Sequence, residues 1–346
     1  MRAGYIDDIK KASFRSDLPE PQIMAPNEVK IRVKVTGICG SEIHAYNGLH
    51  NFRVPPLVSG HEFSGDVVEV GSEVTTCKVG DRVTAEPQYG CGNCYFCNNG
   101  NYNICPDKKV LGATYWTGSF GEYVVVPQQT IVKLLDSVSY EEGALIEPIA
   151  VGMHAVRKFN INKNSSVAII GTGTIGLGIL LCAKLFNPKM IIMIDVIDYN
   201  LEKAREMGCN FTLNSMSEDI ESKIMELTEG IGTDVTFLAF GNEPTLRQAC
   251  SITKRGGIIS EIAIIKDRTP FSFGMLQSKE LTMVGSNMYI YDDFQAVCDA
   301  IAEGKMDLSK FVTKIYPIEE MPKAMRVIDN REEPIIKILL KGNSLN

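Results

Sequence analysis

The chain has little that would tie it to nucleic acid or to a membrane. Its 35 lysines and arginines are outnumbered by 42 aspartates and glutamates, for a formal net charge of −7 over 346 residues. That balance argues against a protein whose main partner is nucleic acid or an anionic lipid surface. The opening stretch, MRAGYIDDIKKASFRSDLPEP, holds no apolar run of the length a signal peptide or membrane span needs. Internal repeats and low-complexity tracts are missing as well, which sets aside solenoids and disordered scaffolds. Histidine is scarce, at four residues. Apolar residues are not scarce: at 45% hydrophobic and 22% charged, the chain can bury full cores, and its length suits two domains.

Cysteine is plentiful, with ten residues. Without an export signal they predict a reducing, cytoplasmic setting, where clustered thiols bind metal more often than they pair as disulfides. Four of them fall in CGNCYFCNNGNYNIC: Cys91, Cys94, Cys97 and Cys105. Two-residue gaps let successive thiolates converge on one tetrahedral zinc, at Zn–S distances of about 2.3 Å. Gly92, Asn93, Asn98, Asn99 and Gly100 tolerate the tight turns such wrapping needs. Four thiolates leave no open coordination position, so this zinc is expected to be structural. A DNA-binding zinc ribbon would spread its cysteines over two hairpins and add a basic patch, and a redox cluster is the other alternative.

The rhythm of the chain changes near its middle. EVKIRVKVTG, HEFSGDVVEV and EYVVVPQQTIVKLL predict short strands broken by glycine turns. From Ser165 strands and helices alternate: SSVAIIG, MIIMIDV, DVTFLAF, GIISEIAI and ELTMVGS as strands, with TIGLGILLCAKLFN, NLEKAREMG, SEDIESKIMELTEG and EPTLRQACSITKRGG as helices. Such alternation implies a parallel sheet covered on both faces. The tail, with DDFQAVCDAIAEGKMDLS and IEEMPKAMRVIDN helical and PIIKILL a last strand, is expected to fold back onto the first part.

In IIGTGTIG, Gly171, Gly173 and Gly176 have the G-x-G-x-x-G spacing directly after a strand and at the opening of a helix. The first glycine permits a tight turn, the second a close approach to a pyrophosphate, and the third helix–strand packing. Gly171, Thr172, Gly173, Thr174, Ile175 and Gly176 are therefore candidate cofactor contacts. Asp195 ends the second strand at the distance expected of a ribose-binding acid. Such an acid would repel a 2′-phosphate, and residues 196–200 offer no Arg or Lys to offset it. NAD is expected over NADP.

Two of the four histidines sit in short motifs beside other ligand types: GICGSEIHAYNG contains Cys39, Ser41 and His44, and SGHEFSG contains His61 and Glu62. These motifs, with VGSEVTTCKVGDRV, the four-cysteine loop, LIEPIAVGMHA and GTGTIG, make the chain resemble the zinc-dependent medium-chain dehydrogenase/reductases nearly end to end. The resemblance implies an α/β protein, a Rossmann doubly wound sheet inserted into a GroES-like β-rich catalytic domain. The domains would be 1–149 and 287–346 for the catalytic part and 150–286 for the NAD-binding part.

The resemblance also implies two zinc ions per chain, one of them catalytic. Cys39 and His61 match the family's ligand positions, and Glu62 and Glu147 are candidates for the third, left open between them. A zinc lowers the pKa of a bound hydroxyl, which lets hydride pass from the substrate carbon to the nicotinamide. Ser41 and His44 match the family's proton relay. The substrate expected is a secondary alcohol of a polyol, a sugar alcohol or its phosphate, or a small diol; butanediol- and threonine-type enzymes are alternatives. Ser41, Tyr46, Glu147 and Tyr289 are pocket candidates. Met288 stands where sorbitol-type members commonly carry Arg. A homodimer or homotetramer is expected. The alternatives from other classes are a zinc-free quinone or enone reductase and a non-enzymatic NAD- or zinc-binding regulator.

Overall fold

In EVKIRVKVTG the β-branched residues alternate with charged ones, and the segment forms the strand Glu28–Gly37, with Val29, Ile31, Val33 and Val35 buried. The computed structural model, which describes residues 1–265, 269–271 and 273–342, places this strand at the centre of a seven-stranded sheet. The sheet runs Lys314–Pro317, Ile338–Lys341, Glu28–Gly37, Glu62–Val70, Arg82–Ala85, Ile131–Lys133, and Tyr123–Pro127 also pairs with Glu28–Gly37. The tail strand Ile338–Lys341 pairs antiparallel with Glu28–Gly37, so the two ends of the chain share one sheet. One compact unit accordingly comprises Met1–Glu147 and the chain from Ile290 on; the other is Pro148–Tyr289.

The second unit is built on six parallel strands in the order Phe211–Asn214, Met190–Asp195, Ser166–Ile170, Thr233–Leu238, Thr253–Glu261, Thr282–Gly285. In chain order that is 3-2-1-4-5-6, the doubly wound dinucleotide-binding topology. Two of its central strands, Ser166–Ile170 and Met190–Asp195, are nearly continuous apolar runs, as burial on both faces requires. The α/β architecture expected from the sequence is the one observed.

Several local expectations need correction. TKRGG does not continue a helix: the helix Glu243–Ile252 stops, and Thr253 opens the next strand at once. Thr253 turns its hydroxyl onto the carbonyl of Ala249 at 2.6 Å, closing the last helical turn, and the two glycines that follow disfavour helix. The strand Phe211–Asn214 and the helix Phe273–Ser278 escaped the sequence reading. Both are short, and the strand lies at a sheet edge with Phe211 exposed, so neither carries a clear periodic signal. Among the described residues no helix is long and apolar enough to cross a membrane.

Candidate active site

The four cysteines of the loop come together. Their sulfurs lie within 4.8 Å of one another, with Cys91–Cys97 at 4.0 Å and Cys94–Cys105 at 3.7 Å. Sulfurs at the corners of a tetrahedron with arms of about 2.3 Å are separated by about 3.8 Å. The donor set and its spacing therefore fit a closed zinc site. Gly90 makes the closure possible, because a Cβ there would fall 2.5 Å from the Cys97 sulfur. Tyr102, in the same loop, donates its hydroxyl to both oxygens of buried Glu86 at 3.0 and 2.8 Å, and Gln88 adds a third bond at 3.2 Å. Burial, reinforced by the charges of Asp293 and Glu147, outweighs these bonds and pushes the Glu86 carboxyl up to about 8.

A second donor cluster forms where the central strands end. Cys39 comes two residues after the strand Glu28–Gly37 and immediately precedes the short helix Gly40–Tyr46; His61 directly precedes the strand Glu62–Val70, which Glu62 opens; Glu147 lies in the helix Tyr140–Arg157. Cys39, Glu42 and His61 lie within 4.8 Å of one another, as do His61, Glu62 and Glu147. Gly60 sets the approach of His61: its φ is +94°, and a Cβ would fall 2.6 Å from the Phe120 ring.

Glu42 organises this cluster. Its side chain is fully buried; one oxygen accepts from His61 Nδ1 at 2.8 Å and the other from the Cys39 amide at 2.9 Å. With Nδ1 engaged there, Nε2 is the nitrogen left to meet a metal, and it lies 3.9 Å from Glu147 Oε1. Burial alone would raise the Glu42 carboxyl, but the His61 charge and hydrogen bond, and Arg53 at 3.6 Å, hold it down at about 2. Burial opposes a charged His61, and the Glu42 carboxylate overrides it, so the ring's pKa is raised well above 6.5. Thiol, imidazole and carboxylate together form a mixed donor set suited to zinc.

Glu62 is differently placed. Both of its oxygens accept from Lys337 Nζ at 2.7 Å, and both side chains are buried. Lys337 also donates to the Ile38 carbonyl at 3.1 Å. Gly37 makes room for this pair, since a Cβ there would fall 2.0 Å from Glu62 Oε2.

The remaining candidates are scattered. Ser41 Oγ is buried and has no hydrogen-bond partner among the described residues. His44 is half-buried on the same short helix. Tyr46 is packed in a core with Ile6, Ile38 and Phe120, and its hydroxyl is committed to the Lys10 carbonyl at 2.9 Å. Tyr289 is fully buried in the other unit.

In that unit, Gly171 (φ +93°) ends the strand Ser166–Ile170, and Gly173, Thr174, Ile175 and Gly176 lead into the helix Thr174–Lys184. A Cβ on Gly176 would fall 1.8 Å from the Gly171 carbonyl oxygen, whereas one on Gly173 would meet nothing within 4 Å. The open space at Gly173, at a helix N-terminus, is what a pyrophosphate needs. Asp195 accepts from the Thr172 amide at 2.6 Å and from Val196 and Ile197 amides at 2.7 and 3.0 Å, bracing the loop.

Sequence reasoning missed Glu42, Arg53 and Lys337. Cys39-x-x-Glu42 has the spacing of a helix capping box, which could have marked the glutamate; Lys337 gave no local signal.

Comparison with known proteins gives the family. Residues 25–136 match the family described as alcohol dehydrogenase GroES-like domain, and residues 174–303 match zinc-binding dehydrogenase. The chain is 36% identical over 325 residues to sorbitol dehydrogenase of Halalkalibacterium halodurans, covering 93% of each. It is 33% identical over 332 residues to D-arabitol-phosphate dehydrogenase of Enterococcus avium, covering 94% of this chain and 93% of that one. The crystal structure of 2R,3R-butanediol dehydrogenase from Bacillus subtilis superposes with a TM-score of 0.90 at 33% identity, over 99% of both chains.

Proposed function

We propose that this chain, which belongs to the zinc-dependent medium-chain dehydrogenase/reductases, oxidises a secondary alcohol to the ketone with NAD as hydride acceptor. The substrate class we infer is a polyol, a sugar alcohol or its phosphate, or a small vicinal diol, from the relatives that act on sorbitol, arabitol phosphate and butanediol. The observation that carries the reading is a pair of overlapping donor clusters, Cys39 with Glu42 and His61, and His61 with Glu62 and Glu147, which share a buried His61 whose Nδ1 is tied to Glu42.

Cys39, His61 and Glu147 would hold the catalytic zinc, and Cys91, Cys94, Cys97 and Cys105 the structural one. Glu147 is preferred to Glu62 as third ligand because both Glu62 oxygens are engaged by Lys337. When bound, the catalytic zinc supplies Lewis acidity that lowers the pKa of the substrate hydroxyl. The chain's own part is to manage the proton and the geometry. Ser41 Oγ, which has no hydrogen-bond partner among the described residues, would take the proton of the substrate hydroxyl while handing its own to His44, which would pass it on towards water. Glu42 keeps the His61 ring in one tautomer and orientation. The glycine loop from Gly171 to Gly176 would carry the cofactor pyrophosphate, and Asp195 would face the adenosine ribose. We further infer a homodimer or homotetramer working in the cytoplasm.

The test is an NAD-reduction screen over diols, polyols, polyol phosphates and threonine at alkaline pH, with His61→Ala as control. Turnover with at least one secondary alcohol, lost in the variant, is expected. Silence towards every alcohol, or an active variant, would overturn the reading.

A further inference from the structure

The strand Thr253–Glu261 ends on a residue that its surroundings do not explain. Ile258, Ile259 and Ser260 lead up to Glu261, whose two carboxylate oxygens are both buried; no side chain among the described residues donates to them, and the Ala263 amide lies against the group. Two buried hydroxyls nearby in the sheet share that condition: Ser260 Oγ on the same strand and Ser286 Oγ just past the neighbouring one. The Ser286 amide donates to the Glu261 carbonyl at 2.8 Å, so the two residues are held against each other. Gly285, paired in register with Glu261, has open space where a Cβ would be. A buried carboxylate with no side-chain donor costs on the order of several kcal/mol if charged. Burial outweighs the Ala263 amide and pushes this carboxyl up to about 7. Such a group persists where a ligand supplies what the protein does not.

Its place in the sheet says which ligand. All six strands are parallel, so their carboxyl ends form one rim, the rim at which doubly wound sheets bind ligands. The Gly171–Gly176 loop stands at the carboxyl end of Ser166–Ile170. Asp195 stands one strand to one side of it, and Glu261 two strands to the other, about 10 Å away at normal strand spacing. A dinucleotide with its pyrophosphate on the loop and its adenosine ribose at Asp195 lays its nicotinamide half towards Glu261 and Ser286. The oxidised nicotinamide carries a positive ring and a carboxamide with two N–H donors; the reduced ring is neutral.

We propose that Glu261, with Ser286 beside it, is a cofactor-contacting residue that makes this unit favour oxidised over reduced nicotinamide dinucleotide. This rests on the dinucleotide reading given above. An anion in a poorly hydrated site attracts the cationic ring more than the neutral one, so the residue holds the oxidised form more tightly and lowers the potential of the bound couple.

The experiment measures dissociation constants of NAD+, NADH and ADP-ribose for the wild-type protein, Glu261→Gln and Ser286→Ala at pH 8.5, by calorimetry and NADH fluorescence. Glu261→Gln is expected to weaken NAD+ about tenfold while NADH and ADP-ribose stay within about twofold. That ratio raises the potential of the bound couple by about 30 mV for two electrons. Ser286→Ala is expected to weaken NAD+ and NADH alike, about threefold, through the carboxamide they share, and to spare ADP-ribose. Equal losses for NAD+ and NADH in Glu261→Gln, no loss, or a parallel loss of ADP-ribose would overturn the role of Glu261. If the wild-type protein bound none of the three ligands, the dinucleotide reading itself would fall, and the inference with it.

Discussion

Replacing Glu42 by Gln preserves shape and removes one charge at the junction of three groups. The carboxylate holds His61 Nδ1 at 2.8 Å, holds the Cys39 amide at 2.9 Å, and neutralises Arg53 at 3.6 Å. An amide can present its NH2 to Nδ1, which would drive the ring into the tautomer with Nε2 protonated and unable to bind metal. Loss of such a supporting carboxylate costs about 10–100-fold in metal affinity, or about 1.4–2.7 kcal/mol. Arg53 is buried, so stranding its charge adds a stability loss of up to about 3–5 kcal/mol. The assay is a chelator titration with metal analysis, in which the zinc of the four-cysteine loop serves as internal reference. One zinc per chain should leave the variant at 10–100-fold lower chelator concentration, and the other should leave as in wild type. A proton count gives a sharper signature. In the metal-free protein the Glu42 charge keeps the His61 pKa well above 6.5, so binding at Nε2 must expel a proton and strengthen as pH rises. The variant should release less of that proton. Two zinc ions retained with an unaltered chelator midpoint and proton release would refute the reasoning.

Other residues give tests of different kinds. Glu86 has a folded-state pKa of about 8 against an ordinary 4.5, so it binds its proton more tightly when folded; that stability is complete below pH 4.5 and is lost as pH rises through about 8. At about 1.4 kcal/mol per tenfold change in proton affinity the effect reaches at most about 5 kcal/mol. Glu86→Gln should flatten the fall in Tm between pH 5.5 and 8.5, and an identical fall in both proteins would contradict the assignment. Lys337→Met leaves Glu62 buried and unpaired and should cost about 3–5 kcal/mol in denaturant unfolding; a loss under 1 kcal/mol would show the pair to be incidental. Asp195→Ala should narrow the preference for NAD over NADP, read as the ratio of kcat/KM values. A wild-type protein using both cofactors equally well would dispose of that role.

Much of the fold was legible because it is written locally. Alternating β-branched residues mark Glu28–Gly37, apolar runs mark the central parallel strands, and the glycines after Ile170 mark the turn that follows. The four-cysteine loop was equally plain, since all its donors lie within fifteen positions. What could not be read arises from contacts between distant positions. Lys337 meets Glu62 across 275 residues, and nothing in PIIKILL distinguishes a lysine that is buried from one that is solvated. Glu42 was visible only as part of a motif because its role depends on His61 arriving 19 residues later. Glu261 passed as an ordinary member of GIISEIAI, because the lack of a side-chain donor is a property of its surroundings.

The pairing of Ile338–Lys341 with Glu28–Gly37, and of Lys337 with Glu62, has a consequence for how the chain is made. During synthesis the strand Glu28–Gly37 emerges early, with an unfilled place beside it and an anion, Glu62, destined for burial, and both must wait until residues 337–341 have been made. Meanwhile the parallel-stranded unit, whose residues are contiguous, can fold on the ribosome without them. Translation interrupted between residues 290 and 337 should therefore yield a nascent chain with a finished nucleotide fold and an unfinished, sticky sheet, the kind of species that chaperones hold.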